Sequence, residues 1–319
     1  MKENKGDVVK ENKKVIGLID TSIILHTIRQ ARKSGNFAEE LISYLRALKL
    51  ATGVDELYCI GDNGFSTYRK NIYPDYKGQR AETHRKREPT EKLRLEAMRD
   101  FNKNLYKFND VFFYRSISGV ECDDIIGILY NELTSEGYDV LALSQDKDFY
   151  TAVKAQDLFD IKTGKGYNVE TKLKGLSQTK FKTFLTLNGD KIDNIEGVAG
   201  EKTALILVNN FKTFKAMQDF EVDNVLDLDG VTTKNKHHIV KALNAIKEDV
   251  GLKKIKLNWE LISIFTDRSK LTEKQEREFE KLKQDLLGWE SNKNVSDDLE
   301  LYLYEIGEAS VMEDLEWGI

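Results

Sequence analysis

Short apolar runs of strand length alternate with longer stretches of helical period through the first two-thirds of this chain. KVIGLID (14–20), ELYCIGD (56–62), DVFFYR (110–115) and YDVLALS (138–144) read as strands. Segments at about 37–51, 89–107 and 122–136 repeat apolar residues at helical intervals, which places one apolar stripe on each. Strand–helix alternation of this kind predicts an α/β fold with a mostly parallel central sheet flanked by helices. LFDIKTGKGYNVET places two extended segments about a Gly-Lys-Gly turn and predicts a hairpin. From about residue 177 the periods are mainly helical. The expected division is a flexible tail at 1–13, an α/β core at 14–176 and a smaller helical region at 177–319.

Composition adjusts this picture in two ways. With 319 residues and 40% hydrophobic content, the chain is long enough to bury a real core. The net charge of -5 conceals an asymmetry: residues 66–99 carry ten Lys and Arg against five acids, whereas 285–319 carry one Lys against ten. No apolar run approaches the roughly 20 residues a spanning helix needs, and MKENKGDVVKENKK is too polar for a signal peptide, so no membrane role is expected. Cys59 and Cys122 lack zinc-finger or disulfide spacing, which fits a reducing, cytoplasmic setting. A monomer is expected.

Candidate chemistry lies where the strands end. In open α/β sheets, ligands bind beyond the carboxyl ends of the strands. KVIGLID ends in Asp20 and ELYCIGD in Asp62; DVFFYR leads into Glu121, Asp123 and Asp124; YDVLALS runs into Asp146 and Asp148. Asp190 and Asp193 follow in LNGDKIDNIEG. Singly, such acids cap turns or helix N-termini, each for about 0.3–1 kcal/mol. Independent caps have no reason to recur at the same end of every strand. Two carboxylates 4 Å apart repel by about 1 kcal/mol in water and roughly 4 kcal/mol at an effective dielectric of 20. Divalent cations remove that conflict, and an all-oxygen ligand set selects Mg²⁺ or Mn²⁺ over zinc. Two such ions suit phosphodiester hydrolysis. The four histidines pair with no nucleophilic Ser or Cys, which argues against triad chemistry.

After Asp62, NGFSTYRKNIYPDYKGQRAETHRKREPTEKLR interleaves Tyr68, Tyr73 and Tyr76 with Arg69, Lys70, Lys77, Arg80, Arg85, Lys86 and Arg87. Cations for phosphates mixed with aromatic faces for unpaired bases are the ingredients of a single-strand nucleic-acid surface. The plain alternative is a solvated loop and helix face. Its place beside Asp62 favours the first reading, because an acid-lined metal site needs adjacent cations to hold an anionic backbone.

These residues together resemble the 5′ nuclease superfamily, which comprises flap endonucleases, the 5′-to-3′ exonuclease domain of bacterial DNA polymerase I, and the phage 5′-exonuclease and ribonuclease H branch. The resemblance covers about residues 15–250 and rests on six motifs in order: GLIDTS, GDNGFSTYR, PDYKGQR, GVECDD, LSQDKDF and GDKIDNIEGVAGEKTA. It implies structure-specific cleavage of nucleic acid with a 5′ flap or 5′ end, RNA–DNA hybrids included. By this resemblance Asp20, Asp62, Glu121 and Asp123 hold a first Mg²⁺ or Mn²⁺, and Asp146, Asp148, Asp190 and Asp193 a second, with Asp124 shared or behind them. Lys77 and Arg69 are similar to the cations that contact the scissile phosphate. Tyr76 is similar to a base-stacking residue, with Tyr68, Arg80, Arg85, Lys86 and Arg87 beside it. Residues about 64–100 are expected to form a helical arch over the 5′ strand. The element at 194–213, including Gly197, Gly200 and Lys202, is expected to bind duplex backbone through loop N–H groups, with a bound K⁺. Cys122 departs from the family's usual Ala, the hairpin is two residues short, and the acidic C-terminal tail has no counterpart. The tail is expected to pack as a helix or dock a replication partner.

Three rivals remain open. A haloacid-dehalogenase-type phosphatase needs a second Asp two residues after Asp20, where Ser22 stands. A PIN-type endoribonuclease shares the acid arrangement but not the long basic segment and helical region. A catalytically inactive branched-DNA-binding protein would not require the full acid set.

Overall fold

The computed structural model describes residues 14–21, 37–79, 111–161, 165–166 and 168–289. The expected tail at 1–13, the helix at about 89–107, most of the expected arch and the acidic tail lie outside the described residues.

The central sheet has six strands: β1 (Val15–Asp20), β2 (Glu56–Gly61), β3 (Val111–Arg115), β4 (Asp139–Ser144), β5 (Leu158–Asp160) and β6 (Lys165–Gly166), in the order β3-β2-β1-β4-β5-β6. The first five run parallel and β6 is antiparallel to β5. β1 therefore sits centrally, with β2 and β4 on either side. Its apolar run reads as it does because Ile16, Leu18 and Ile19 are all fully buried. The hairpin is shifted from its sequence expectation. Phe159 pairs with Gly166 and Asp160 with Lys165, so Lys165 and Gly166 form the second strand instead of the turn.

This half of the chain also carries α1 (Phe37–Thr52) and α2 (Thr67–Ile72), the latter capped by the Ser66 hydroxyl accepting from the Arg69 amide. α3 (Cys122–Ser135) follows β3. Its apolar IIGILY stretch is buried along its whole length, since the helix packs on the sheet and Gly127 meets Ile264 and Phe265 from the helical half of the chain.

The remaining part is helical: α4 (Gln178–Asn188), the two-stranded β7 (Gly189–Asp190) and β8 (Ile195–Glu196), α5 (Glu201–Asn210), α6 (Phe214–Asp219), α7 (Lys236–Lys247), α8 (Asp249–Ile262) and α9 (Glu273–Leu287). α9 starts with a reciprocal capping box between Thr272 and Gln275. It docks back on the first half, where the Tyr58 hydroxyl donates to the Leu286 carbonyl at 3.1 Å. Arg268, just before α9, meets Glu132 of α3 through two bonds of 2.6 and 2.7 Å, and Lys283 of α9 meets the same carboxylate at 2.8 Å. No described helix is long and apolar enough to cross a membrane.

Candidate metal and nucleic-acid site

Parallel strands bring their carboxyl ends to one edge, so residues just past β1, β2 and β4 must be neighbours whatever their sequence separation. Asp20 ends β1, Asp62 follows β2, Glu121 and Asp123 open α3, and Asp146 and Asp148 follow β4. Asp190 and Asp193 arrive from the other half on the β7–β8 turn. These eight acids line one cavity of about 1150 Å³. The lining carries ten carboxylates against the four cations Arg69, Lys77, Lys147 and Lys191, so the cavity is strongly anionic.

Several acids also organise the backbone around them. An Asp62 oxygen accepts from the Cys122 amide at 3.0 Å, Asp146 from the Asp148 amide at 2.8 Å, and Asp190 from the Ile192 amide at 2.8 Å. The capping reading thus holds for these three as a second duty. It does not hold for Glu121, whose side chain makes no cap bond although the residue occupies the N-cap of α3. Instead Glu121 accepts from Lys77 Nζ at 2.8 Å, the Tyr76 hydroxyl at 3.0 Å and Arg69 Nη1 at 3.3 Å. Burial alone would raise its carboxyl, but Lys77 and Arg69 outweigh burial and hold it below the usual range.

The opposite balance holds deeper in. Burial, then repulsion from Asp20, Asp146 and Asp62, pushes the Asp123 carboxyl far up. Burial and the Asp146 charge likewise raise Asp148. Asp148 Oδ1 is also buried without a hydrogen-bond partner. Crowded, under-neutralised oxygens of this kind fit divalent cations, whose charge would remove the repulsion. One group is close-knit: a carboxylate oxygen of Asp20, one of Asp123 and the sulfur of Cys122 all lie within 4.8 Å of one another.

Four residues with expected roles already have partners within the protein. Arg69, expected to meet a scissile phosphate, is 3% exposed and fully engaged. Its Nε donates to the Leu261 carbonyl at 2.8 Å, Nη2 to the Ser263 carbonyl at 2.7 Å and to Asp124 at 2.8 Å, and Nη1 to Asp124 at 2.5 Å. Asp124, expected among the metal ligands, does not line the cavity and also accepts from the Phe265 amide at 3.1 Å. Burial outweighs these partners and raises the Asp124 carboxyl, whereas the guanidinium stays cationic. Tyr76, expected to stack on a base, is 3% exposed, because its ring packs in the core and its hydroxyl serves Glu121. Tyr68 is similarly committed, donating to Glu260 at 2.8 Å and accepting from Lys270 at 2.7 Å.

Lys77 keeps its place on the cavity wall. Its left-handed backbone (φ 52) is held by its amide donating to the Asp193 carbonyl at 3.0 Å, and its Nζ lies 3.8 Å from the Asp193 carboxylate. Lys77 thus ties the two halves of the acid set together. In the hairpin, the amides of Val198 and Ala199 turn back onto the Leu187 carbonyl at 2.8 and 3.0 Å, so these two are not offered to a duplex. Gly197 is required by packing: a Cβ there would sit 2.1 Å from the Asn188 carbonyl oxygen. Gly200 stands in open space and Lys202 is exposed at the start of α5. Arg80, Arg85, Lys86 and Arg87 lie outside the described residues. The sequence reading missed Leu261, Ser263 and Phe265, which act through main-chain groups and leave no side-chain signal.

Comparison with known proteins agrees with the fold. Residues 25–182 match the family model described as 5′-3′ exonuclease, N-terminal resolvase-like domain. A 5′-3′ exonuclease of Buchnera aphidicola is 33% identical over 42% of this chain and 47% of its own length, so the chain spans about half of that relative. The flap endonuclease of Escherichia phage T5 is 27% identical over 66% of this chain and 72% of its own. A solved structure of T5 5′-exonuclease with bound zinc ions has the same fold, with a TM-score of 0.65 at 22% identity over 84% of this chain and 97% of that one.

Proposed function

We propose that this chain is a member of the 5′ nuclease superfamily and a divalent-metal-dependent phosphodiesterase that cuts DNA at 5′ flaps and 5′ ends. The observation that carries the proposal is the convergence of eight acids from both halves of the chain on one cavity. Asp20, Asp62 and Asp123, with Glu121 acting through water because its oxygens already accept three donors, would hold one Mg²⁺ or Mn²⁺. Asp146, Asp148, Asp190 and Asp193 would hold a second. Bound there, such ions supply Lewis acidity and a more acidic water.

The chain's own residues do the positioning. Lys77, on the cavity wall, is assigned to the scissile phosphate, with Glu121 and Asp193 aiming its ammonium. Arg69 and Asp124 are assigned to holding the start of α3 against the end of α8, and Tyr76 to orienting Glu121. The same reading divides the chain at about residue 176, assigns 64–100 to an arch over the 5′ strand, and gives the duplex to the element at 194–213 with K⁺. RNA–DNA hybrids and a replication partner for the acidic tail belong to it as well.

The test is a labelled 5′-flap duplex, an RNA-primed duplex and a hairpin, each incubated with Mg²⁺ and with EDTA. Cleavage at the 5′ side in Mg²⁺ and none in EDTA is expected. No cleavage of any of the three in Mg²⁺ would overturn the proposal.

A further inference from the structure

The proposed function accounts for the acids and cations of the cavity but leaves its apolar residues without a role. Leu185, Ile195, Leu261, Ile262 and Ile264 line the cavity, and each is at most 9% exposed, so they belong to the core behind its wall. Ile192 lines the same cavity and is 69% exposed. It stands on the β7–β8 turn between Asp190 and Asp193, where a β-branched apolar residue is an unusual choice, since Gly, Asn, Asp and Ser satisfy turn geometry better. A single exposed apolar side chain needs no explanation where the backbone beneath it is free. This one is held. Asp190 accepts from the Ile192 amide at 2.8 Å, and the Lys191 carbonyl accepts from the Asn194 amide at 3.3 Å. Asn194, in the left-handed region (φ 62), donates from Nδ2 to the Asp75 carbonyl at 3.1 Å, and the Lys77 amide donates to the Asp193 carbonyl at 3.0 Å. The turn is thus tied both to its own ladder and to the loop that carries Lys77.

Consecutive Cα atoms lie about 3.8 Å apart, so Ile192 is anchored one Cα step from Asp193 and two from Asp190. A phosphate drawn to those acids through a bound cation carries its own sugar and base into reach of the Ile192 side chain. The base offers what the anionic wall cannot use electrostatically: an uncharged, flat, poorly hydrated face. Apolar side chains, isoleucine among them, pack on and separate bases in nucleic-acid complexes, and a contact to the face of a base tolerates any sequence. Lys191, beside Ile192, and Lys147 are both exposed on the same lining and supply charge for the backbone of that nucleotide. We propose that Ile192 is the base-contacting residue of the cavity: it packs on the face of the nucleobase beside the scissile phosphate and so fixes which phosphate is presented for cleavage. The proposal rests on the nuclease reading for its substrate and adds to it the residue that sets the cutting position.

The test walks one abasic site through the nucleotides flanking the cleaved bond of a 5′-flap duplex and measures kcat and KM in Mn²⁺ for the natural chain, Ile192→Ala and Ile192→Leu. For the natural chain, kcat/KM should fall about tenfold when the abasic site adjoins the cleaved bond and change little when it lies elsewhere. Ile192→Ala should lose about tenfold on the intact flap and nothing further on that abasic flap, because the contact is already gone. Ile192→Leu should keep most of the activity, and Ile192→Ala should spread its cuts over neighbouring bonds. Losses that multiply, or cleavage of the intact flap by Ile192→Ala equal to that of the natural chain, overturn the proposal. A purely structural role is read separately, by the melting temperature and its Mn²⁺-induced rise, which Ile192→Ala should leave unchanged. A smaller rise in that variant would show that Ile192 acts through Asp190 and Asp193, and would overturn the proposal too. If the natural chain cleaves no flap in Mn²⁺, the nuclease reading fails, and fluorescence anisotropy of labelled intact and abasic flaps with Ca²⁺ in place of Mn²⁺ still decides whether Ile192 meets a base. Binding of the intact flap alone should then weaken about tenfold in Ile192→Ala; equal binding, or none by the natural chain, overturns the proposal.

Discussion

At the scale of single residues, the same chemical type takes opposite roles according to its neighbours. Asp123 and Asp124 are adjacent in sequence, but Asp123 faces other carboxylates and Asp124 is clasped by a guanidinium. Asp146→Ala should therefore abolish cleavage while retaining or strengthening DNA binding, because it removes repulsion toward the phosphate backbone. Gel-shift and cleavage assays on one flap substrate check this, and lost binding would show that the acid set is misassigned. Arg69→Ala should behave differently. It strands a buried Asp124 charge and frees two main-chain carbonyls, so a urea melt should show a loss of about 3–5 kcal/mol. Arg69→Lys recovers the charge but not the forked geometry, and should recover only part of that loss.

At the scale of elements, the placement of α3 decides the site, and ion pairs on its far end hold it. Glu132 is held below the usual carboxylate range: burial opposes this, but the bonds from Arg268 and Lys283 prevail. A depressed folded value means stability that is present above the unfolded-state carboxylate pKa of about 4.3 and lost as pH falls through the folded value. Glu132→Gln should flatten that acid limb and cost about 1 kcal/mol at neutral pH, since the pair is partly exposed; urea melts from neutral to acid pH measure both. The β7–β8 turn is the other deciding element. Gly197→Ala forces a Cβ against the Asn188 carbonyl and should destabilise by about 1–3 kcal/mol. It should also weaken cleavage through displacement of Asp190 and Asp193, which a thermal melt paired with a cleavage assay would reveal.

At the scale of the whole molecule, the cavity is a concentration of repulsion that the rest of the fold must outweigh. Asp123 and Asp148 bind protons more tightly folded than unfolded. The metal-free protein should therefore lose stability as pH rises from the unfolded carboxylate value of about 3.9 toward their raised folded values. Saturating Mn²⁺ should flatten that decline and raise the melting temperature, because only the folded state brings the ligands together. Asp148→Asn should stabilise the chain in EDTA by about 1–2 kcal/mol and shrink the Mn²⁺-induced shift. Scanning calorimetry across pH, with and without Mn²⁺, decides both.

The strand order of acids was legible in the sequence, because apolar runs mark strands and parallel strands must share a carboxyl edge. Asp20, Asp62, Asp123, Asp146 and Asp148 could thus be assigned to one site from their positions alone. Asp190 and Asp193 needed the family motif, since nothing local says that a turn after α4 folds back onto the sheet. Which charges face the cavity was decided only by tertiary packing. Arg69 and Tyr76 line the cavity but are committed to Asp124 and Glu121, and Asp124 does not line it; the contacts that hold Arg69 and Asp124 at the end of α8 are main-chain carbonyls and an amide that any sequence supplies. Arg69 and Tyr76 looked like ligand contacts because periodicity and charge are read along one chain. Burial depends on a second segment some 190 residues away, and a one-dimensional pattern carries no record of it.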